Sequence, residues 1–214
     1  MSTRSSELLG PLLVATFTLG CPPTNLYRTA EPTPKGEWQL TGGLGVGQIR
    51  DLEQQTKSPT VPIELGARRG LTDDLDIGAR VFFPGLDVNA TWRFLHRGPW
   101  SVAVAPQLAF VRTIATGTTT NSLTMFPVLV APATYRVSTA WAFTLGPSLG
   151  LGIYWSETGG NAKGLWLGGL LGAEWRVGRR VWLVPELTTY RVVSGEVPVK
   201  GSFVAFGLGL LIGL

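Results

Sequence analysis

Two neighbouring stretches decide the fold: Leu75–Phe83, LDIGARVFF, and Asp87–Leu95, DVNATWRFL. In the first, Leu75, Ile77, Ala79, Val81 and Phe83 share one face, while Asp76, Gly78, Arg80 and Phe82 share the other. In the second, Val88, Ala90, Trp92 and Phe94 oppose Asp87, Asn89, Thr91 and Arg93. The period is two, which is the signature of a strand set between two unlike environments. Only Pro84-Gly85-Leu86 separates the two runs, so they read as an antiparallel hairpin.

The same alternation extends in both directions. Val61–Arg68 sets Val61, Ile63, Leu65 and Ala67 against Pro62, Glu64, Gly66 and Arg68. Comparable runs cover 37–49, 100–115, 121–136, 139–155, 164–177, 180–193 and 201–214. That makes about ten strands, each near or above the ~9–11 residues a tilted strand needs to cross a bilayer.

Composition says where such strands can live. Charged residues are 15% of the chain, well under the usual quarter, and mean hydropathy is +0.22. No window offers some twenty uninterrupted apolar residues, so a spanning helix is not available. An apolar chain without one is left with a closed barrel, whose strands dilute the apolar residues by alternation. The expectation is an all-β, antiparallel, up-and-down transmembrane barrel of about ten strands, within a range of roughly 8–12.

The net charge of +4 is scattered, with no basic tract, which argues against nucleic-acid binding. One cysteine excludes an intramolecular disulfide, and with one histidine a Cys/His metal site is implausible. No cofactor or metal is expected.

The N-terminus reads as an export signal. Met1–Glu7 is short and polar with one arginine, and Leu8–Gly20 (LLGPLLVATFTLG) is an apolar core of 13 residues. That length suits a signal peptide and is too short to span a bilayer. The chain therefore divides into a signal peptide at 1–20, a Pro-rich periplasmic tether at 21–35 and a barrel at 36–214.

At the junction, Thr18-Leu19-Gly20-Cys21 resembles the lipobox of bacterial lipoproteins. The resemblance implies that Cys21 is lipidated and becomes the new N-terminus. Gly20 and Cys21 fit; Leu19 and Thr18 depart from the pattern, which usually has its aliphatic residue where Thr18 stands. The alternative is an unmodified cysteine in a leader removed by another peptidase.

The links between strands alternate in length, except that the short link at Pro84-Gly85-Leu86 breaks the pattern. Those after the second, fourth, sixth and eighth strands are tight, at Gly70–Asp74, His96–Pro99, Val137–Ser138 and Gly178–Arg179. Those after the first, fifth, seventh and ninth are longer and polar, at Arg50–Pro59, Thr116–Thr120, Ser156–Lys163 and Ser194–Lys200. The expectation is an outer-membrane location with short periplasmic turns, longer outer loops, and both termini periplasmic. Trp38, Trp100, Trp141 and Trp175 fall near the short-turn strand ends and Trp155 near the other, as an interfacial belt requires. Trp166 reads as a second residue at the outer end, and Trp182 as a further one at the short-turn end.

Arg69–Ile77 (RGLTDDLDI) resembles a turn that recurs in bacterial outer-membrane β-barrel proteins, where Gly-Leu-Thr-Asp joins two strands before Asp, an aliphatic residue and Gly. The repeated Pro-x-Leu at Pro106, Pro127, Pro147 and Pro185 is also similar to that family. The resemblance implies outer-membrane lipid and the barrel-assembly machinery as partners. The chain departs from it by ending in Leu214 rather than an aromatic residue. A proline in mid-strand removes a ladder bond, so bulges or an imperfect wall are expected at those four positions.

The inferred inner face carries Glu64, Arg68, Asp76, Arg80, Asp87, Arg93, Glu174, Arg176, Arg180 and Glu186. Charges of both signs suit a narrow lumen in which each finds a partner. Three functions follow. The first is an exported outer-membrane barrel with a structural, adhesive or narrow-pore role and no evident catalysis. The second is a membrane-embedded lipid-modifying enzyme, which would have to work through Ser156, Glu157 or Thr118–Thr120 because His96 lies in a short turn. The third is a soluble periplasmic barrel holding an apolar ligand. A small solute or a lipid is the ligand class such a lumen would take. Face polarity separates the first from the third.

Overall fold

The computed structural model describes residues 27–52, 55, 57–114, 121–156, 160–195 and 200–214. The signal peptide at 1–20, Cys21 and the loop residues Glu157 and Thr118–Thr120 lie outside them. No helix is long and apolar enough to cross a membrane among the described residues.

Ten antiparallel strands close into one barrel. They are β1 (Trp38–Asp51), β2 (Lys57–Thr60 continuing as Ile63–Gly70), β3 (Leu75–Phe82), β4 (Gly85–Arg97) and β5 (Trp100–Ile114). They continue as β6 (Asn121–Val130 with Ala133–Arg136), β7 (Trp141–Ser156), β8 (Gly160–Arg176), β9 (Val181–Gly195) and β10 (Gly201–Gly213). The two divided strands break at Pro62 and Pro132, which lack the amide hydrogen a ladder requires. Each strand pairs with its sequence neighbours. The ring shuts where β1 meets β10, in register from Gln39↔Gly213 to Asp51↔Gly201.

The tight links after β2, β4, β6 and β8 sit at one end, which we call the terminal end because Trp38 and Leu214 lie there, joined by the Leu214 N–H donating to the Trp38 carbonyl at 2.8 Å. The two-residue link Phe83-Pro84 between β3 and β4 lies at the other end. The turn after β2 is held by the amides of Leu71 and Thr72, both donating to the Leu75 carbonyl.

The wall is apolar. Leu65, Ile77, Val81, Val88, Leu145 and Phe206 all face outward and are exposed. Their strand neighbours Glu64, Asp76, Arg80 and Asp87 are buried inside. This is the reverse of a soluble barrel with an apolar cavity, and the structure gives that alternative no support.

The interior has two layers. The terminal half is polar. Toward the long-link end an apolar cluster fills the bore, with Ile49, Val111, Phe126, Trp166, Tyr190 and Phe203 at its centre. The sequence reading placed Trp166 in the interfacial belt; it is 5% exposed and packs edge-on against Phe126. Four tryptophans of the terminal end do face outward: Trp38, Trp100, Trp141 and Trp175 are exposed, and Trp141 stacks on Trp175 at 5.4 Å. Trp182, expected with them, turns inward and packs against Tyr27, Val184 and Leu211. Trp155 is exposed on β7, near the long-link end.

The expected bulges are displaced. Register shifts occur at Phe94 and Val193, not at the prolines. Each of the four prolines stays in register with one neighbour and leaves a gap in the ladder to the other. Pro106, for example, pairs with Leu129, while the ladder to β4 skips from Asn89↔Gln107 to Trp92↔Val104. A proline needs only one of its two edges to lack a donor, so no extra residue is inserted.

Candidate functional site in the lumen

The polar layer begins from cross-strand spacing. Arg80 stands directly opposite Asp87, while Arg68 faces Gly78 and Arg80 also faces Gly66. A residue without a side chain beside each arginine leaves room for the guanidinium to lie across the lumen. Arg68 Nη2 then donates to Asp76 Oδ1 at 2.7 Å, and also to the Thr91 hydroxyl. Arg80 Nε donates to Asp87 Oδ2 at 2.7 Å and its Nη1 pairs with Glu64. All five of these charged groups are buried, which is tolerable only because each has an opposite partner. Glu186 is 1% exposed on the same layer and accepts from Thr188 Oγ1 at 2.9 Å.

Three of the ten expected lumen charges lie elsewhere. Arg93 sits at the rim, bonded to Asp74 Oδ1 at 2.8 Å. Arg176 and Arg180 are exposed at the β8–β9 turn, where Arg176 donates to the carbonyls of Gly178 and Arg179. They are too near the strand ends to be covered by the wall. Glu174 is buried but belongs to a second cluster, accepting from Arg136 Nη2 at 3.0 Å.

The largest departure from the sequence reading concerns the N-terminal segment. Residues 27–33, expected to run outside the fold as a tether, lie inside the terminal half of the barrel. Tyr27, Ala30 and Thr33 are at most 3% exposed. The segment touches the wall on many sides. The Thr33 amide donates to Asp76 Oδ2 at 2.7 Å on β3, and the Ala30 amide donates to Thr134 Oγ1 at 2.7 Å on β6. Glu31 accepts from Arg136, which bridges it to Glu174 on β8. Arg28 Nη1 donates to the Ala90 carbonyl at 3.4 Å on β4, opposite Pro106 where the ladder is missing. Tyr27 Oη donates to the Leu44 carbonyl at 3.3 Å on β1.

Between this plug and the wall a cavity of about 250 Å³ opens at the terminal mouth, bordered by Thr33, Glu31, Arg68, Arg136, Glu174 and Trp182. Arg28, Glu31, Arg136 and Thr134 escaped the sequence reading. A Pro-rich run normally signals a linker, and nothing local in it reports burial.

His96 is exposed at the terminal end, at the tight turn where the sequence places it. Its Nδ1 meets Ser101 Oγ at 3.0 Å across the tight β4–β5 turn, with Ser101 fully buried. Among the described residues, no three His, Cys, Asp or Glu side chains are grouped to hold a metal ion.

A closed ten-stranded meander with an apolar wall and a charged, filled lumen has the architecture of outer-membrane β-barrels. Comparison with solved structures agrees on the fold. An outer-membrane channel from Pseudomonas putida F1 is similar at a TM-score of 0.59 and 11% identity, over 86% of this chain and 98% of that one. Neisserial surface protein A matches at a TM-score of 0.48 and 11% identity, over 82% and 96% of the two chains. The attachment invasion locus protein of Yersinia pestis matches at 0.46 and 11%, over 84% and 99%. No protein-family model and no curated protein sequence matches the chain.

Proposed function

We propose that the chain is an exported outer-membrane protein that works as a closed scaffold, its terminal end toward the periplasm and its longer links presented outside in a structural or adhesive role. The observation that carries this is the double filling of the lumen. The plug and ion pairs occupy the terminal half, and the apolar cluster occupies the other. A conducting pore would need both to move. Catalysis has no place in this reading: among the described residues of the two layers, no nucleophile stands with a base beside an open substrate position.

Outer-membrane lipid against the wall and the assembly machinery during insertion are the partners implied. Lipidation of Cys21 fits within a limit: six residue steps separate it from Tyr27, a reach of at most about 20 Å. Labelling with a radioactive fatty acid tests it, and equal labelling of native protein and Cys21→Ala refutes it.

The test of the whole reading is detergent extraction with heat-shifted gel mobility, followed by planar-bilayer recording. The expected outcome is a detergent-phase protein with a heat-modified band and a silent bilayer. An aqueous-phase protein without that band removes the membrane barrel; steady conductance removes the closed scaffold.

A further inference from the structure

We propose that the terminal half of the lumen is a blind recognition site for an extended peptide bearing an aromatic side chain followed by a guanidinium, and that Tyr27–Pro34 is its resident occupant. The walls are tied to one another without the segment. Arg68 joins Asp76 and Thr91, Arg80 joins Glu64 and Asp87, and Thr134 meets Thr144 at 2.8 Å. The segment takes only the bonding capacity these pairs leave over. Asp76 gives Oδ1 to Arg68 and Oδ2 to the Thr33 amide. The Ala90 carbonyl is open to Arg28 because Pro106 opposite has no N–H to offer it. Main-chain bonds alternating with side-chain pockets are how proteins hold extended peptides.

The aromatic pocket is built into the closing seam. Gly43 and Gly209 are direct partners across β1 and β10, and both face the lumen. Two facing glycines weaken a strand pair and need a reason. The reason is the Tyr27 ring: a Cβ on Gly209 would stand 2.6 Å from Tyr27 Cδ1, and one on Gly43 would collide with the same ring. Charge explains the guanidinium. In the polar layer Glu64, Asp76, Asp87 and Glu186 face two wall cations, Arg68 and Arg80. Arg28 adds a third cation to that layer, while the occupant's own Glu31 is matched separately by Arg136 nearer the mouth. The site is blind because the apolar cluster closes it above.

Covalent attachment hides such a site, since a tethered ligand outcompetes a free one through its effective concentration. The full chain should therefore be folded in detergent, cut with trypsin after the exposed Lys35, and challenged with labelled synthetic peptide YRTAEPTPK. The expected result is that the cut fragment stays with the barrel through gel filtration and is displaced saturably by the peptide. A peptide with alanine for its tyrosine and arginine should need at least about tenfold more. As a second measurement, uncut Tyr27→Ala/Arg28→Ala protein should bind the same peptide. Adding Gly209→Ala to that protein should weaken binding about tenfold or more while the heat-shifted band persists. Equal displacement by a scrambled peptide, no rebinding to either folded preparation, or binding indifferent to Gly209→Ala would overturn the proposal. Heat-shifted mobility reports the membrane barrel separately, so the two failures are distinguishable.

Discussion

Arg80 links two carboxylates on different strands, Glu64 on β2 and Asp87 on β4. Arg80→Ala strands both in a buried layer and should lower stability by about 3–5 kcal/mol, read as the unfolding midpoint in detergent. Arg176→Ala, at an exposed turn, should change it by less than about 1 kcal/mol. A comparable loss from both variants would mean the lumen is wetter than its burial indicates. Asp76, Arg80 and Asp87 were legible in the sequence because they alternate with apolar neighbours. Arg176 and Arg180 alternate too, but alternation does not say where a strand leaves the shelter of the wall. Glu31 and Arg136 were illegible for another reason: they are 105 positions apart, and only the barrel's closure brings them together.

Individual strands show how a local rule can be met in an unexpected way. Pro106 does disrupt the wall, as its chemistry requires, yet the orphaned Ala90 carbonyl is taken by Arg28 from inside. Restoring the missing donor with Pro106→Ala should stabilise the barrel by about 1 kcal/mol. It should also reduce the cost of Arg28→Ala, so a double-mutant cycle should show coupling; simple additivity would separate the two sites. The strand order and nearly every strand were readable because period two persists through 37–214. The inward placement of Phe126 was not, because its strand is apolar on both faces. Trp166 shares the parity of Glu174 on β8, so alternation itself points it inward, and only its nearness to the strand end suggested the belt. Within β1 alone, Gly43 of the run GGLGVG (Gly42–Gly47) has no evident role. Its purpose depends on Gly209, which only the ring closure places opposite.

The whole molecule is a wall that reverses the polarity of a water-soluble protein, packed inside by its own N-terminal segment and an aromatic layer. Its fold followed from alternation and composition, whereas the plug did not, because burial of a Pro-rich run is decided by the lumen it enters. The inside-out polarity can be measured directly. Single cysteines carrying a fluorophore, introduced in a Cys21→Ser background at Val81 and at Gln107, should be tested in vesicles with brominated lipid and with aqueous iodide. Val81 is 60% exposed on the wall and Gln107 is 4% exposed in the lumen. The expected result is strong quenching at position 81 by brominated lipid alone, and protection of position 107 from both agents. Iodide quenching at 81, or lipid quenching at 107, would contradict the barrel as described.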